Sequence, residues 1–369
     1  MDWNLISIIA FYSIIALFFL KNRKNIERQS IYFLYRTKKG LKIIDKLASK
    51  FRRFWKLFGK ASIYAGFIGI PIILGFLIFT DINILLNPAA PAGVAPVIPG
   101  LNIPGSPIFL PFWYGIISLI IVLVVHEGSH GLVARANGLK LESAGVGLLA
   151  FLPLAFVEPD EKEMSKAPLK KRLSVYGAGP FSNIILGFLC LGLLSLVITP
   201  MMGGISVINV TEGAPADQAA IMPGDVITEV NNYSFKSTSQ FVYYVDNISA
   251  GETLDLHTDR GIIKVNTVPY ENNESKAYIG IFFEQHPKPV DYLARLLFWI
   301  YALNLGIGLV NLLPLGPIDG GRMISDTLNE KIKDKKKAKK IMKVINYFSL
   351  FLLLFAMLPF FSNLFATIL

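Results

Sequence analysis

Predominantly apolar stretches of about bilayer length recur along the chain at residues 3–20, 61–80, 112–134, 174–198, 292–313 and 341–368. A hydrocarbon core of ~30 Å needs about 20 helical residues, and the last stretch has room to tilt. The pattern predicts a multi-pass α-helical membrane protein with about six transmembrane helices. Between residues 203 and 285 the period shortens to the alternation of strands, at 205–210, 226–230, 253–257, 262–268 and 278–283. Pro223-Gly224-Asp225 and Asp259-Arg260-Gly261 supply turn signals between them. An α+β domain is therefore inserted between the fourth and fifth spans.

Charge sorts the connections. Residues 21–60, 135–172 and 322–343 are rich in Lys and Arg, the last around Lys335-Lys336-Lys337. Residues 81–110 carry no basic residue, and 203–289 hold more acids than bases. Basic loops stay cytoplasmic, so the inserted domain and both termini are expected to be extracytoplasmic. The net charge of +10 lies beside apolar segments and belongs to no nucleic-acid-reading module. It reads as an orientation signal and as lipid-headgroup contact. A hydrophobic fraction of 53% and a mean hydropathy of +0.51 agree with membrane residence. The single Cys190 allows no disulfide framework. Positive charges follow the first apolar run instead of preceding it, so no cleavable signal peptide is expected. Four Asn-x-Ser/Thr sequons, at Asn209, Asn232, Asn247 and Asn273, all fall in the inserted domain. Their position permits N-glycosylation, and an Asn-rich polar domain also yields such triplets by chance.

The third span contains His126-Glu127-Gly128-Ser129-His130. Histidines at i and i+4 share a helix face, so both imidazoles can hold one Zn²⁺, with Glu127 placed to deprotonate water. Ionisable residues within a membrane are costly and mark function. A catalytic zinc needs a third protein ligand. His257 and His286 lie in the outer domain, on the wrong side of the bilayer. Asp319 is the better candidate, in Asn311-Leu312-Leu313-Pro314-Leu315-Gly316-Pro317-Ile318-Asp319-Gly320-Gly321-Arg322. Its prolines and glycines exclude a regular helix, and irregular backbone at membrane depth must line protein or a cavity. A helix-start cap or an ion pair with Arg322 is the alternative role. Helical rise puts His126 and His130 roughly 8–14 Å inside the cytoplasmic boundary, and Asn183 at about 16 Å, near the depth of His126. The Asn183 amide could donate to an oxyanion or bond a neighbouring helix.

These motifs together resemble the site-2 protease family of zinc intramembrane metalloproteases. The resemblance rests on His126-Glu127-x-x-His130, Gly179-Pro180-x-x-Asn183 and Asn311-x-x-Pro314-x-x-Pro317-x-Asp319-Gly320. The Pro-rich stretch at 102–107 is similar to that of archaeal members. Gly213-Ala214-Pro215-Ala216, Pro223-Gly224-Asp225-Val226-Ile227 and Val230-Asn231 resemble a PDZ domain of the bacterial and archaeal protease type. A PDZ fold binds extended peptide by strand addition; blocking access sterically is the alternative. The resemblance implies one Zn²⁺ per chain held by His126, His130 and Asp319, and Glu127 as general base. It also implies Asn183 and Asn311 near substrate or transition state. The substrates it implies are transmembrane segments of other proteins, cut near the cytoplasmic side after a first cut by another protease.

The chain then divides at 1–60 (first helix and basic loop), 61–110 (second helix and Pro-rich outer loop) and 111–200 (first half of the catalytic core). It continues through 201–288 (PDZ-like domain), 289–325 (second half of the core) and 326–369 (basic loop and last helix). Residues 1–60 suggest no chemistry. The apolar run 145–157 is too short to span, and is expected either to offer a strand edge to an unwound substrate or to form an interfacial hairpin. A proline at Leu149 or Phe151 distinguishes the two. A membrane adaptor with structural zinc and a metal transporter are the competing function classes. A single ligand cluster in one leaflet argues against a transit path, and an adaptor leaves Glu127 unexplained.

Overall fold

The structure, a computed structural model, describes residues 3–29, 32–38, 40–87, 89–106, 108–149, 152–198, 203–270, 273–286 and 289–368. Phe151 and Pro107 lie outside the described residues. The chain forms two compact units, Met1–Cys190 with Phe298–Leu369, and Leu191–Leu297.

The first unit begins with α1 (Trp3–Lys21), β1 (Ile26–Gln29), β2 (Tyr32–Thr37), α2 (Leu41–Lys50) and α3 (Arg52–Leu86). It continues through α4 (Phe112–Ala136), β3 (Leu141–Leu149), β4 (Leu152–Pro159), α5 (Glu161–Lys166) and α6 (Leu169–Ile198). Among the described residues four helices are long and apolar enough to cross a membrane: α3, α4, α6 and the helix over Tyr292–Val310. Large side chains such as Phe79 (71% exposed) and Leu86 (81%) cover α3 as they would a lipid-facing surface and not a solvated one. A fifth span arises if two helices bent by 45° at Met357 count as one. Pro359, in the first turn after the bend, has no N–H to continue the preceding helix. The sixth expected span is the shorter apolar run Leu5–Lys21, which reaches only about 26 Å as a helix.

After the inserted unit come α9 (Pro289–Val310), α10 (Asp319–Lys331), α11 (Lys335–Ala356) and α12 (Leu358–Ile368). Ile70, Leu77, Leu173, Leu312, Met323 and Leu352 form one buried cluster that ties α3, α6, α10 and α11 together. Glycines allow this approach: a Cβ at Gly66 would lie 2.6 Å from the Met323 methyl, and one at Gly69 2.3 Å from Leu312. A four-stranded antiparallel sheet, ordered β1-β2-β3-β4, lies beside the bundle. Within the expected basic loop the chain forms a β1–β2 hairpin. Its signal is the continuous aromatic and apolar run Tyr32-Phe33-Leu34-Tyr35, short and set among basic residues. Leu149 pairs with both Tyr32 and Leu152, so it sits in an interior strand, and the edges of the sheet are β1 and β4.

The second unit contains β5 (Ile205–Val210), α7 (Pro215–Gln218), β6 (Val226–Val230), β7 (Tyr233–Ser234) and α8 (Thr238–Asp246). Then follow β8 (Thr253–Thr258), β9 (Gly261–Asn266), β10 (Val268–Tyr270), β11 (Asn273–Tyr278) and β12 (Ile281–Gln285). The main sheet runs β12-β5-β6-β8-β9 over a core of Ile205, Ile227, Leu254, Leu256, Val265 and Phe241. Asn231 and Asn232 both adopt positive φ between the paired Val230 and Tyr233, as a two-residue type I′ turn requires. Arg260 Nε donates to Asp225 Oδ1 at 2.6 Å, and Nη2 donates to the Ala220 carbonyl at 2.9 Å. The guanidinium holds the buried Asp225 carboxyl below the usual carboxylate range. That stabilisation is present above the unfolded carboxyl value near pH 4 and is lost as pH falls through the lower folded value.

Ala220 has φ of 60°, where a Cβ meets the following carbonyl oxygen. Ala220→Gly is expected to raise the stability of this unit by about 0.5–1 kcal/mol, the reverse of the usual sign. Denaturant-dependent amide exchange of β6 and β8 would measure it, and an unchanged or lowered protection would contradict it.

Candidate metal centre

The site is assembled from α4, α6 and the turn that leads into α10. On α4, His126 and His130 project from one face with their rings 4.8 Å apart at 79°. His126 Nε2 lies 3.1 Å and His130 Nε2 3.3 Å from the same oxygen, Oδ2 of Asp319. One donor atom from each of the three lies within 4.8 Å of the others, and all three residues are buried.

Asp319 arrives there because residues 311–318 are not helical. The Gly320 N–H donates to the Asn311 carbonyl at 2.8 Å, folding the turn onto the start of α10. Only glycine fits that fold, since a Cβ would lie 2.2 Å from Leu312 O at Gly320 and 1.9 Å from Leu315 O at Gly321. Arg322 does not pair with Asp319. Its guanidinium sits over the Tyr176 ring, 5.9 Å from the centroid.

The outer nitrogens of the imidazoles are also engaged. His130 Nδ1 donates to the Val175 carbonyl at 2.6 Å, which leaves Nε2 with its lone pair. Asn183 Nδ2 lies 3.1 Å from His126 Nδ1, while Asn183 Oδ1 is buried with no partner. Turning the amide by 180° lets His126 Nδ1–H donate to that orphaned oxygen and frees the Nε2 lone pair. In that orientation both Nε2 atoms can bind a metal, and the amide nitrogen takes the position without a partner. Two neutral imidazoles and a carboxylate suit Zn²⁺. Gly179 completes the wall: a Cβ there would lie 2.4 Å from His130 Nε2 and 2.7 Å from His126 Nε2.

Glu127 faces a cleft of about 1230 Å³ that also reaches Asn311, Asp319, Val157, Tyr176 and Arg36. Its Oε2 accepts from the Val157 N–H at 3.1 Å. Asn311 lines the cleft, whereas the side chain of Asn183 is spent on His126. Glu27 and Arg36, from the N-terminal hairpin, also line the cleft. Arg36 Nε pairs with Glu27 at 3.0 Å, and Arg36 and Ser143 both bond Glu158. His257 and His286 belong to the other unit and bond Glu229 and Ser206.

A His-Glu-x-x-His motif on a membrane-length helix, met by a distant carboxylate at the start of α10, is the arrangement of a membrane metallopeptidase. The profile described as Peptidase family M50 matches residues 114–356, and the chain belongs to that family. It is 32% identical over 357 residues to the uncharacterized protein MJ0971 of Methanocaldococcus jannaschii, covering 95% of this chain and 92% of that one. It is 26% identical over 223 residues to the zinc metalloprotease RasP of Shouchella clausii (46% and 53% covered). Similarity to a membrane-bound transcription factor site-2 protease homolog of Arabidopsis thaliana is 27% over 135 residues (35% and 26% covered). The matches thus span about half of the former and a quarter of the latter. Among solved structures, the PDZ domain of the SdrC-like protein Lin2157 of Listeria innocua is similar at 27% identity. That match covers 97% of that chain and 23% of this one, with a TM-score of 0.20.

Proposed function

We propose that the chain is a zinc-dependent intramembrane endopeptidase of the site-2 protease type that hydrolyses a peptide bond in transmembrane segments of other proteins. The observation that carries this reading is the meeting of both imidazole Nε2 atoms on one Asp319 oxygen, across 193 residues of sequence. His126, His130 and Asp319 would hold one Zn²⁺ per chain. Bound there, the ion supplies a Lewis acid and lowers the pKa of water. Glu127 takes the proton of the attacking water and delivers it to the amine nitrogen as the C–N bond breaks. Val175 and Asn183 fix the two imidazoles, and Asn311 is placed to meet the substrate. Elemental analysis of the purified protein tests the ligand set. About one zinc per chain, falling below one in ten in Asp319→Ala, is expected. Zinc unaffected by the substitution would break the site apart.

A helical peptide bond is shielded by its own hydrogen bonds, so the substrate must be extended before cleavage. The free edge of β4 beside Glu127 supports strand addition there. The edge N–H of Ala155 points away from β3, two residues from Val157 on the same side. Ala155→Pro should reduce cleavage at least tenfold with zinc retained. Undiminished turnover would refute pairing at this edge.

The loop charges support a multi-pass cell-membrane location, with the second unit and both termini extracytoplasmic and the active site towards the cytoplasm. The second unit would act as a PDZ domain that binds peptide or excludes substrates not yet trimmed by another protease. Release of a cytoplasmic fragment, as in regulated intramembrane proteolysis, is the role that follows.

A further inference from the structure

The mechanism leaves one contact unused, the 3.1 Å bond from the Val157 N–H to Glu127. It joins the general base to the strand that would receive the substrate. We propose that this bond sets the cleavage register: Val157 positions Glu127, and Glu127 in turn caps the edge of β4, so that a substrate strand pairs only as far as Ala155. The inference rests on the protease reading above.

The geometry comes from the sheet. Ala144 pairs with Val157, Gly145 with Phe156 and Val146 with Ala155, so alternate residues of β4 turn their N–H and C=O groups towards or away from β3. The Val157 N–H points away, since it reaches α4. By the same alternation Ala155 and Pro153 face outward, and Pro153 has no N–H to offer. Among the described residues no strand pairs with this side of β4. An incoming extended segment therefore finds the N–H and C=O of Ala155. One step further, the N–H it needs is already bound to a carboxylate. Pairing stops there, and the next peptide bond of the substrate emerges beside Glu127.

Val157 is held firmly enough to act as a stop. Its side chain packs against Gly131, one residue beyond His130, where a Cβ would lie 3.0 Å from Val157 Cγ1. The adjacent Glu158 is clamped by Arg36 and Ser143 from β2 and β3. The N-terminal hairpin thereby acquires a role, bracing the end of β4 on which Glu127 rests.

Amide exchange in the full detergent-solubilised chain tests the bond without any substrate. The Val157 amide should exchange at least tenfold more slowly than that of Ala155, and Glu127→Ala should remove the difference. Equal exchange in the unaltered chain overturns the proposal, whatever the chain hydrolyses. Cleavage tests the register, with a single-span Leu/Ala peptide carrying a central Gly-Pro pair as probe. The unaltered chain should cut one bond. Val157→Pro should lower kcat about tenfold at near-constant KM, spread the cuts over adjacent bonds and leave zinc content unchanged. If that variant loses zinc, an ester linkage at position 157 removes the same N–H without the ring. One unshifted cut at full kcat overturns the register. No cleavage by the unaltered chain overturns it together with the protease reading, while exchange still decides the bond.

Discussion

Glu127→Gln is expected to lower peptide-bond hydrolysis at least a thousandfold while leaving the zinc content at about one per chain. The two effects separate because the clustered ligand atoms come from His126, His130 and Asp319 and not from Glu127. His126 and His130 meet Asp319, whereas the Glu127 carboxylate is bonded to the Val157 N–H. A glutamine keeps an oxygen to accept from that N–H and keeps the side-chain volume, so the helix and the cleft survive. It cannot take a proton at neutral pH. General-base catalysis contributes about 10²–10⁴-fold, and a thousandfold loss corresponds to roughly 4 kcal/mol of barrier. Cleavage of a transmembrane peptide by wild type and variant, beside elemental analysis of both, gives the answer. An active glutamine variant would remove Glu127 from the mechanism. Retained cellular function in this variant would favour the adaptor class.

Gly179→Ala is expected to weaken zinc binding at least a hundredfold without touching a ligand. The added methyl would lie within 2.4–2.7 Å of both Nε2 atoms, inside the space the metal needs. The rings cannot retreat cheaply. His130 is tied to the Val175 carbonyl at 2.6 Å and His126 to Asn183 at 3.1 Å, and changes in such outer partners cost 10–100-fold in metal affinity on their own. Gly128→Ala is the control. It lies between the histidines, where a Cβ would meet nothing within 4 Å, and alanine is the better helix former by about 1 kcal/mol. Competition with a zinc chelator should separate the two variants. Equal retention would mean that α6 does not form the wall of the site.

What could be read from the chain followed from local rules. His126 and His130 share a face because 3.6 residues complete a turn. The spans follow from the length a bilayer imposes, and residues 311–318 break because two prolines and three glycines lie within 311–322. Asp319 could be paired with α4 because a carboxylate in broken backbone at membrane depth needs a strong partner. The strands at 205–210 and 226–230 agree with the observed β5 and β6 to the residue, since alternation and a Pro-Gly-Asp turn act within a few positions. By itself, then, the sequence determined which residue types are present for chemistry and on which elements they ride.

The tertiary structure alone decided how they are held. Asn183, open in the sequence to either an oxyanion or a helix-bridging role, bonds the His126 imidazole. Gly179 proves to be a wall of the metal space, a role that no small-residue pattern specifies. Residues 26–29 and 32–37, which carried no recognisable chemistry, form two paired strands, the second of which pairs with β3, and Glu27 and Arg36 line the cleft. The edges of the sheet are β1 and β4 and not the strand that carries Leu149. Each of these contacts joins positions far apart in the chain, and periodicity reports only what lies within a turn or a hairpin. Which imidazole nitrogen is free, and which strand edge is open, is set by packing between elements whose meeting leaves no trace in either one's local pattern.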